Sequence, residues 1–442
     1  MADICLYFHV HQPVRMRKLS LLSQRQACDA PALEGAYFDD ASNRHYFEKA
    51  ARQCYTPANN TLAALAKEHG DAFRFSFSIT GVFLEQAKKF DKSVLESFQK
   101  VAATGNAEIL GETYYHSLAS LYNDKAEFRE QVKMHAELVW DLFGQKPKSF
   151  RNTEVIYNNS IAAQAQALGY KAIISEGIER VLGWRSPNYV YAPKGCGKIR
   201  LLLRNYKLSD DVGYRFSAKW WPQWPLTAGK YASWLAASPG QVINLFMDYE
   251  TFGEHHWADT GILDFLRAMP GECLKHGNLS FNTIGGAAEK HEAVGEIDVQ
   301  ADLSWADLER DTSTWVGNNI QRTCFAELES LEPKVRAAGD AGLLHIWRML
   351  QTSDHLMYLC TKSWADGDVH KYFSPYKENT PYDNFINYMN VIQDFKMQVQ
   401  AALDAREIEK ENLREIPGAG TKRTETSGDI KSHARHPSAT PS

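Results

Sequence analysis

Across residues 1–300, short apolar runs alternate with longer segments whose apolar residues recur at helical spacing. Ile4–Val10 (ICLYFHV) is a compact β-rich run that ends in His-Gln-Pro. Pro13 cannot continue a hydrogen-bond ladder, so the pattern predicts a buried strand opening into a loop. Phe73–Ser78 alternates apolar and polar residues, as a half-buried strand does. Ala107–Leu110, Ala172–Ser175 and Val242–Asp248 add further short strand candidates, the last ending in a carboxylate, and Phe150–Tyr157 holds a short strand and its loop. Between them, helices are predicted over Asn43–Glu68 (broken at Thr56-Pro57), Val82–Thr104 and Lys125–Gly144. Another is predicted over Ser160–Leu168, with Ser160 as its cap and Gly169 as its stop.

Short strands alternating with helices predict a parallel α/β architecture. In parallel barrels the loops after the strands carry the chemistry. His9, His11, His116, Glu154 and Asp248 all stand where a predicted strand stops. That coincidence points to a barrel with one site at its C-terminal rim. From about Ser304 the pattern changes, and Leu308–Leu331, Ala337–Leu350 and Tyr382–Ala405 read as long helices. The expected organisation is a catalytic barrel over residues 1–300, then a helical region over 301–411 packed on it and completing the site. A tail over 412–442, rich in Gly, Thr, Ser, Lys and Pro, is expected to be disordered.

Composition narrows the class. The 442 residues are 44% hydrophobic and 23% charged, ordinary for a chain with a sizeable core. A net charge of −5 with no basic block gives no nucleic-acid surface. The seven cysteines are scattered and form no CxxC, so they read as reduced thiols. The opening MADICLYFHVHQP lacks a basic region and a cleavage site, and no apolar stretch is long enough to span a bilayer. A cytoplasmic protein bound to neither membrane nor nucleic acid is expected.

The aromatic content, 12% with 11 Trp and 20 Tyr, supplies both core filling and rings on which sugars stack. Retaining hydrolysis of a glycosidic bond needs two carboxyl groups roughly 5–5.5 Å apart, one attacking and one donating a proton. Glu154 and Asp248 are strand-end acids beside aromatic residues, and apolar walls raise a carboxyl pKa toward neutrality. Glu250 lies two residues beyond Asp248 and would share its face if the strand continued. Spacing alone leaves either of them as the acid. His9 and His11, at i and i+2 on one strand face, and the pair His255-His256 allow a zinc site. The competing reading is neutral imidazoles that bond sugar hydroxyls. No P-loop, GxGxxG or GxSxG motif is present.

Five ordered segments carry a resemblance. They are His11-Gln12-Pro13, Gly111-Glu112-Thr113-Tyr114-Tyr115-His116, the segment around Glu154, Met247–His255, and Ser304-Trp305-Ala306-Asp307 through Trp315. Together they resemble the signature regions of glycoside hydrolase family 57, the α-amylase-like enzymes. The likeness continues through Leu350–His355 and Tyr372–Tyr376, similar to the smaller α-amylase-type subgroup. It implies an α/β fold, a distorted TIM-like (β/α)7 barrel, with Glu154 as nucleophile. It also selects Asp248 over Glu250 as acid/base, with His11, His116, Glu250 and Trp305 as substrate-binding residues. No cofactor and no catalytic metal are implied. One departure is that Phe150-Arg151-Asn152-Thr153 stands where many members carry a Trp shortly before the nucleophile. The implied substrate is an α-glucan or maltooligosaccharide, with α-1,4 hydrolysis, 4-α-glucanotransfer or branching as possible outcomes. A metal-dependent polysaccharide deacetylase, with zinc on His9 or His11, and a non-catalytic glucan-binding protein are the rival classes.

Overall fold

The computed structural model describes residues 1–19, 28–362 and 379–415. Among the described residues ten strands form in chain order: β1 (Ala2–Val10), β2 (Phe75–Ile79), β3 (Ala107–Ile109), β4 (Ser149–Phe150), β5 (Ala172–Glu176), β6 (Val190–Pro193), β7 (Arg200–Arg204), β8 (Val242–Asp248), β9 (Leu279–Phe281) and β10 (Glu296–Ile297). Seven of them close a parallel barrel. β1 pairs with β2 on one side and β8 on the other, and β2 pairs with β3. A bridge between Gly111 and Phe150 leads to β4, which pairs with β5, and β5 pairs with β7. The circuit returns to β8 where Asn205 N donates to Asn244 O at 2.9 Å. This is the expected (β/α)7 architecture. β6 lies antiparallel beside the lower half of β7, and Asn188 O just before it accepts from Val242 N at the start of β8.

Burial explains why β1 reads as nearly continuous apolar sequence: every residue from Ala2 to Val10 is buried, because both faces are covered. Ile4, Leu6, Phe8 and Val10 pack outward in one cluster with helical residues such as Leu62, Leu65 and Leu266. Cys5 and Tyr7 alternate with them and join an inner cluster with Ile174, Leu202 and Phe246. The same alternation carries His9 and Asp248, register partners at the tops of β1 and β8, to the barrel mouth. The opposite mouth is stopped by the helix Ile284–Lys290, whose first amides donate to Ser76 Oγ (3.0 Å) and Glu108 Oε2 (2.8 Å). A Cβ at Gly285 would lie 2.7 Å from that carboxylate, so a larger residue there would displace the Glu108 side chain.

Several boundaries differ from the sequence reading for identifiable reasons. The predicted helix Val82–Thr104 is two, Gly81–Phe90 and Lys92–Ala102, because Asp91 ends the first and caps the second. The helix expected from Ser160 starts at Asn159, with Asn158 as its cap. The break at Thr56-Pro57 is preceded by a π-helical turn, Ala51–Tyr55, between the helices Asp40–Ala50 and Thr56–His69. Leu308–Asn318 is not a long helix but loop with one short turn at Ser313–Val316. Asn318 forms a capping box with Gln321 and starts Asn319–Ala338 there. Gly339, at φ 67°, then separates it from Ala341–Leu350. The last helix, Pro381–Glu415, packs along Asn319–Ala338 and runs past the expected start of the tail at 412. Residues 416–442, and the Tyr372–Tyr376 segment, lie outside the described residues. Among the described residues, no helix is long and apolar enough to cross a membrane.

Candidate active site

Adjacent strands deliver a layer of polar side chains to the barrel mouth. His9 Nδ1 lies 3.0 Å from Ser78 Oγ, its register neighbour on β2, and His11 Nδ1 lies 2.9 Å from Thr80 Oγ1. His116, after β3, completes a stack: its ring is 3.9 Å from that of His11 and 5.1 Å from that of His9. The His9 and His116 Nε2 atoms are 3.2 Å apart, so one of them donates to the other. Burial, with positive charge nearby, holds both well below the usual histidine range, which keeps them neutral.

The C-terminal helical region closes this layer. The short helix Ser353–Met357 sets Ser353 Oγ 2.9 Å from His116 Nδ1, and Ser353 N donates to His116 O at 2.9 Å. Asp354 accepts from His11 Nε2 at 3.0 Å and lies 3.7 Å from His116 Nδ1. Burial pushes the Asp354 carboxyl up, but His11 and then His116 outweigh it and hold the group well below its ordinary range. His11, His116 and Asp354 each bring a ligand-capable atom within 4.8 Å of the others. The His9–His11 zinc pair that the sequence allowed as an alternative is not what the fold assembles, because both nitrogens of His9 already face Ser78 and His116. His256 is likewise engaged, with Ser217 Oγ (2.7 Å) and Gly213 O (3.0 Å).

Glu154 sits in a one-turn 3-10 segment just after β4, at φ 54° and ψ 26°. Val155 follows at φ 53°, a conformation that strains a β-branched residue. The turn is pinned from several sides. Thr153 Oγ1 meets Thr113 Oγ1 at 2.6 Å, and Asn152 Nδ2 donates to Ser120 Oγ (2.8 Å) and Ile156 O (2.9 Å). The Glu154 carbonyl accepts from Ser304 Oγ at 2.8 Å, and its carboxylate accepts from Trp305 Nε1 at 2.9 Å. Trp305 is itself flanked by two guanidinia, Arg151 at 5.4 Å and Arg204 at 5.8 Å from the ring centre. Arg151 pairs with Glu112 at 3.4 Å, wholly buried. Burial pushes Glu154 up to about 7. Arg151 and the Trp305 hydrogen bond oppose the rise, and the charges of Asp354 and Asp248 reinforce it.

Asp248 ends β8, and the strand stops there: Tyr249–Thr251 is a 3-10 turn. Glu250 therefore does not continue the strand alternation. It is buried and accepts from Tyr55 OH at 2.5 Å, and that hydroxyl also accepts from Gln12 Nε2 at 2.9 Å. Burial, with Asp248 alongside, raises Glu250 to about 8. Glu250 is thus protonated at neutral pH, a hydrogen-bonding group rather than a second carboxylate.

A cavity of about 490 Å³ gathers these groups. His11, His116, Glu154, Asp248, Glu250 and Asp354 all line it, so the two acids singled out from the sequence share one chamber. Trp305 is not in its wall, being engaged with Glu154 instead. Sequence reasoning gave no role to Asp354, Tyr55 or Arg151. Asp354 lay within a quoted segment, Leu350–His355, but its partner His11 is 343 residues away, beyond the reach of local spacing.

The model of glycosyl hydrolase family 57 matches residues 5–300. The chain belongs to this family. A curated relative from Methanocaldococcus jannaschii, whose name proposes an alpha-amylase, is 44% identical over 439 residues, covering 97% of this chain and 91% of that one. Among solved family 57 folds, a branching enzyme from Thermococcus kodakaraensis superposes with a TM-score of 0.65 at 12% identity, covering 94% of both chains. A 4-alpha-glucanotransferase from Thermococcus litoralis gives 0.58 at 15% identity, over 88% of this chain and 59% of that one. As a family 57 member the protein is a glycoside hydrolase on the (β/α)7 barrel described above.

Proposed function

We propose that this family 57 protein hydrolyses α-1,4 bonds of α-glucans with retention, in the manner of an α-amylase. The observation that carries the reading is the convergence of Glu154 and Asp248, from the ends of β4 and β8, on one cavity of about 490 Å³. Asp248 protonates the glycosidic oxygen while Glu154 attacks the anomeric carbon, giving a β-linked glycosyl-enzyme and releasing the reducing-end fragment. Asp248, now a carboxylate, takes a proton from water as the water attacks, and the α-product leaves with Glu154 restored. His11, neutral His116 and protonated Glu250 serve as hydrogen-bond partners for sugar hydroxyls. Trp305 Nε1 keeps Glu154 oriented and favours its ionised form.

If a sugar hydroxyl replaces water in the second step, the same groups perform 4-α-glucanotransfer or branching, the activities named for the two archaeal structures. The seven cysteines, free among the described residues, suit a cytoplasmic location. The test is product analysis on maltoheptaose, amylose and glycogen, with the anomer followed by NMR. Hydrolysis with retention gives shorter oligomers that appear first as α-anomers. Longer oligomers would instead mean disproportionation, new α-1,6 bonds would mean branching, and first-formed β-anomers would refute retention.

A further inference from the structure

We propose a second α-glucan-binding site beside the catalytic cavity, on the loop carrying Trp220 and Trp224, which holds the distal part of a long chain. The inference rests on the α-glucan reading above and extends it to chain-length selection. Trp140, Trp184, Trp220, Trp224 and Trp257 are the exposed tryptophans among the described residues. The last three stand on two loops that run side by side. One loop leads from the helix Tyr206–Gly213 to the helix Ala228–Ala236, and the other leads from β8 to the helix Ile262–Leu274. Ser217 Oγ to His256 Nδ1, at 2.7 Å, and the Phe216 and His256 rings, at 5.7 Å, join them.

The inner residues of these loops, Tyr214, Ser217, His256 and Trp257, wall the catalytic cavity. Their outer residues, among them Trp224 and Thr260, together with Asp264 in the first turn of the helix Ile262–Leu274, wall a separate cavity of about 290 Å³. Phe216, Leu226 and Phe265 floor that cavity and are buried, so its shape is set by the core. Trp220, 78% exposed, stands on the same loop as Trp224, which is 43% exposed. Water around large exposed indoles is costly unless a ligand covers them. A pyranose has the matching surface, with an apolar C–H face for the indole and a rim of hydroxyls. Asp264, which accepts from Arg267 at 2.8 Å, and the Thr260 hydroxyl supply polar partners for that rim. The volume suits a small ligand or one end of a chain rather than a folded partner. The segments Tyr214–Ser217 and His256–Thr260 contribute residues to both cavities, so a long glucan bound at the catalytic site would cross these two loops to reach the outer site.

The test compares chain lengths in the full-length protein, using W220A/W224A and, separately, D264A. None of these residues lines the catalytic cavity. Thermal melting checks that each variant is folded, and W224F, which keeps an aromatic face, serves as a second probe if W220A/W224A is not. The expected result is a KM for amylose raised about three- to tenfold with maltotetraose kinetics unchanged, the scale of one or two lost ring contacts. In an E154Q background, the double variant should lose amylose retardation on native gels. Equal losses on both substrates, or no change on amylose, would overturn the outer site while leaving the catalytic reading intact. No activity or binding by the unaltered protein toward any α-glucan would defeat the reading on which this site rests.

Discussion

Replacing Trp305 with Phe removes the one indole donor to Glu154 while leaving an aromatic side chain near Arg151 and Arg204. A hydrogen bond to a charged group contributes about 1.5–3 kcal/mol, and each pKa unit corresponds to about 1.4 kcal/mol. The bond favours the ionised form of Glu154, so losing it raises a pKa that already stands at about 7. At the lower end of that range the shift is about one unit, to about 8. At pH 7 the ionised fraction then falls from roughly a half to roughly a tenth, a loss of about fivefold in kcat/KM. Above pH 9 Glu154 is ionised in both proteins, and most of the loss disappears. The assay is kcat/KM on a maltooligosaccharide from pH 5 to 10 for the unaltered protein and W305F. A uniform drop with an unmoved acid limb, or a limb displaced to lower pH, would refute the assignment of Trp305 as the group that tunes Glu154.

Three further outcomes follow from the same arrangement. E154Q should stabilise the protein by about 1–3 kcal/mol above pH 7, with the gain shrinking as pH falls and vanishing below about pH 4, where Glu154 is protonated in both folded and unfolded chains. The sign follows from a folded pKa raised above the unfolded one, so stability is lost as pH climbs through about 7. Denaturant melts at pH 5 and 8 check it, and equal stabilities at pH 8 would contradict it. D354N should lower kcat/KM about tenfold or more, because His11 loses its carboxylate partner and His116 a charge 3.7 Å away. Unaltered kinetics would mean that the helix Ser353–Met357 is only a lid on the fold. Extensive dialysis against EDTA should leave glucan hydrolysis unchanged, whereas a loss restored by zinc would contradict a mechanism carried by two carboxyl groups alone.

Much of the barrel was legible because its signals are local. Val242–Asp248 forms β8 with the predicted ends, since a short apolar run ending in a carboxylate is interrupted at once by a 3-10 turn. His11, His116, Glu154 and Asp248 could be singled out because each stands at the end of a strand or just beyond it, and parallel barrels gather such residues. β7, Arg200–Arg204, escaped notice: its leucines are bracketed by arginines, and only the barrel reveals that Arg204 turns inward to pair with Glu176 at 3.1 Å. The grouping of the histidines was also beyond the sequence. His9 and His11 looked like a pair, yet each finds its main partner elsewhere, His116 for one and Asp354 for the other. The role of Trp305 likewise depends on a turn with positive φ at Glu154, which no spacing rule foretells in a glutamate.

Chemical rescue by azide tests the assignment of the two acids most directly. On an α-glucoside with a good leaving group, E154A with azide should yield the β-glycosyl azide, because azide occupies the face from which Glu154 attacks. D248A with azide should yield the α-glycosyl azide, formed from the β-linked enzyme intermediate. The reversed stereochemistry, or full activity of E154A without azide, would contradict the assignment of Glu154 as nucleophile and Asp248 as acid/base.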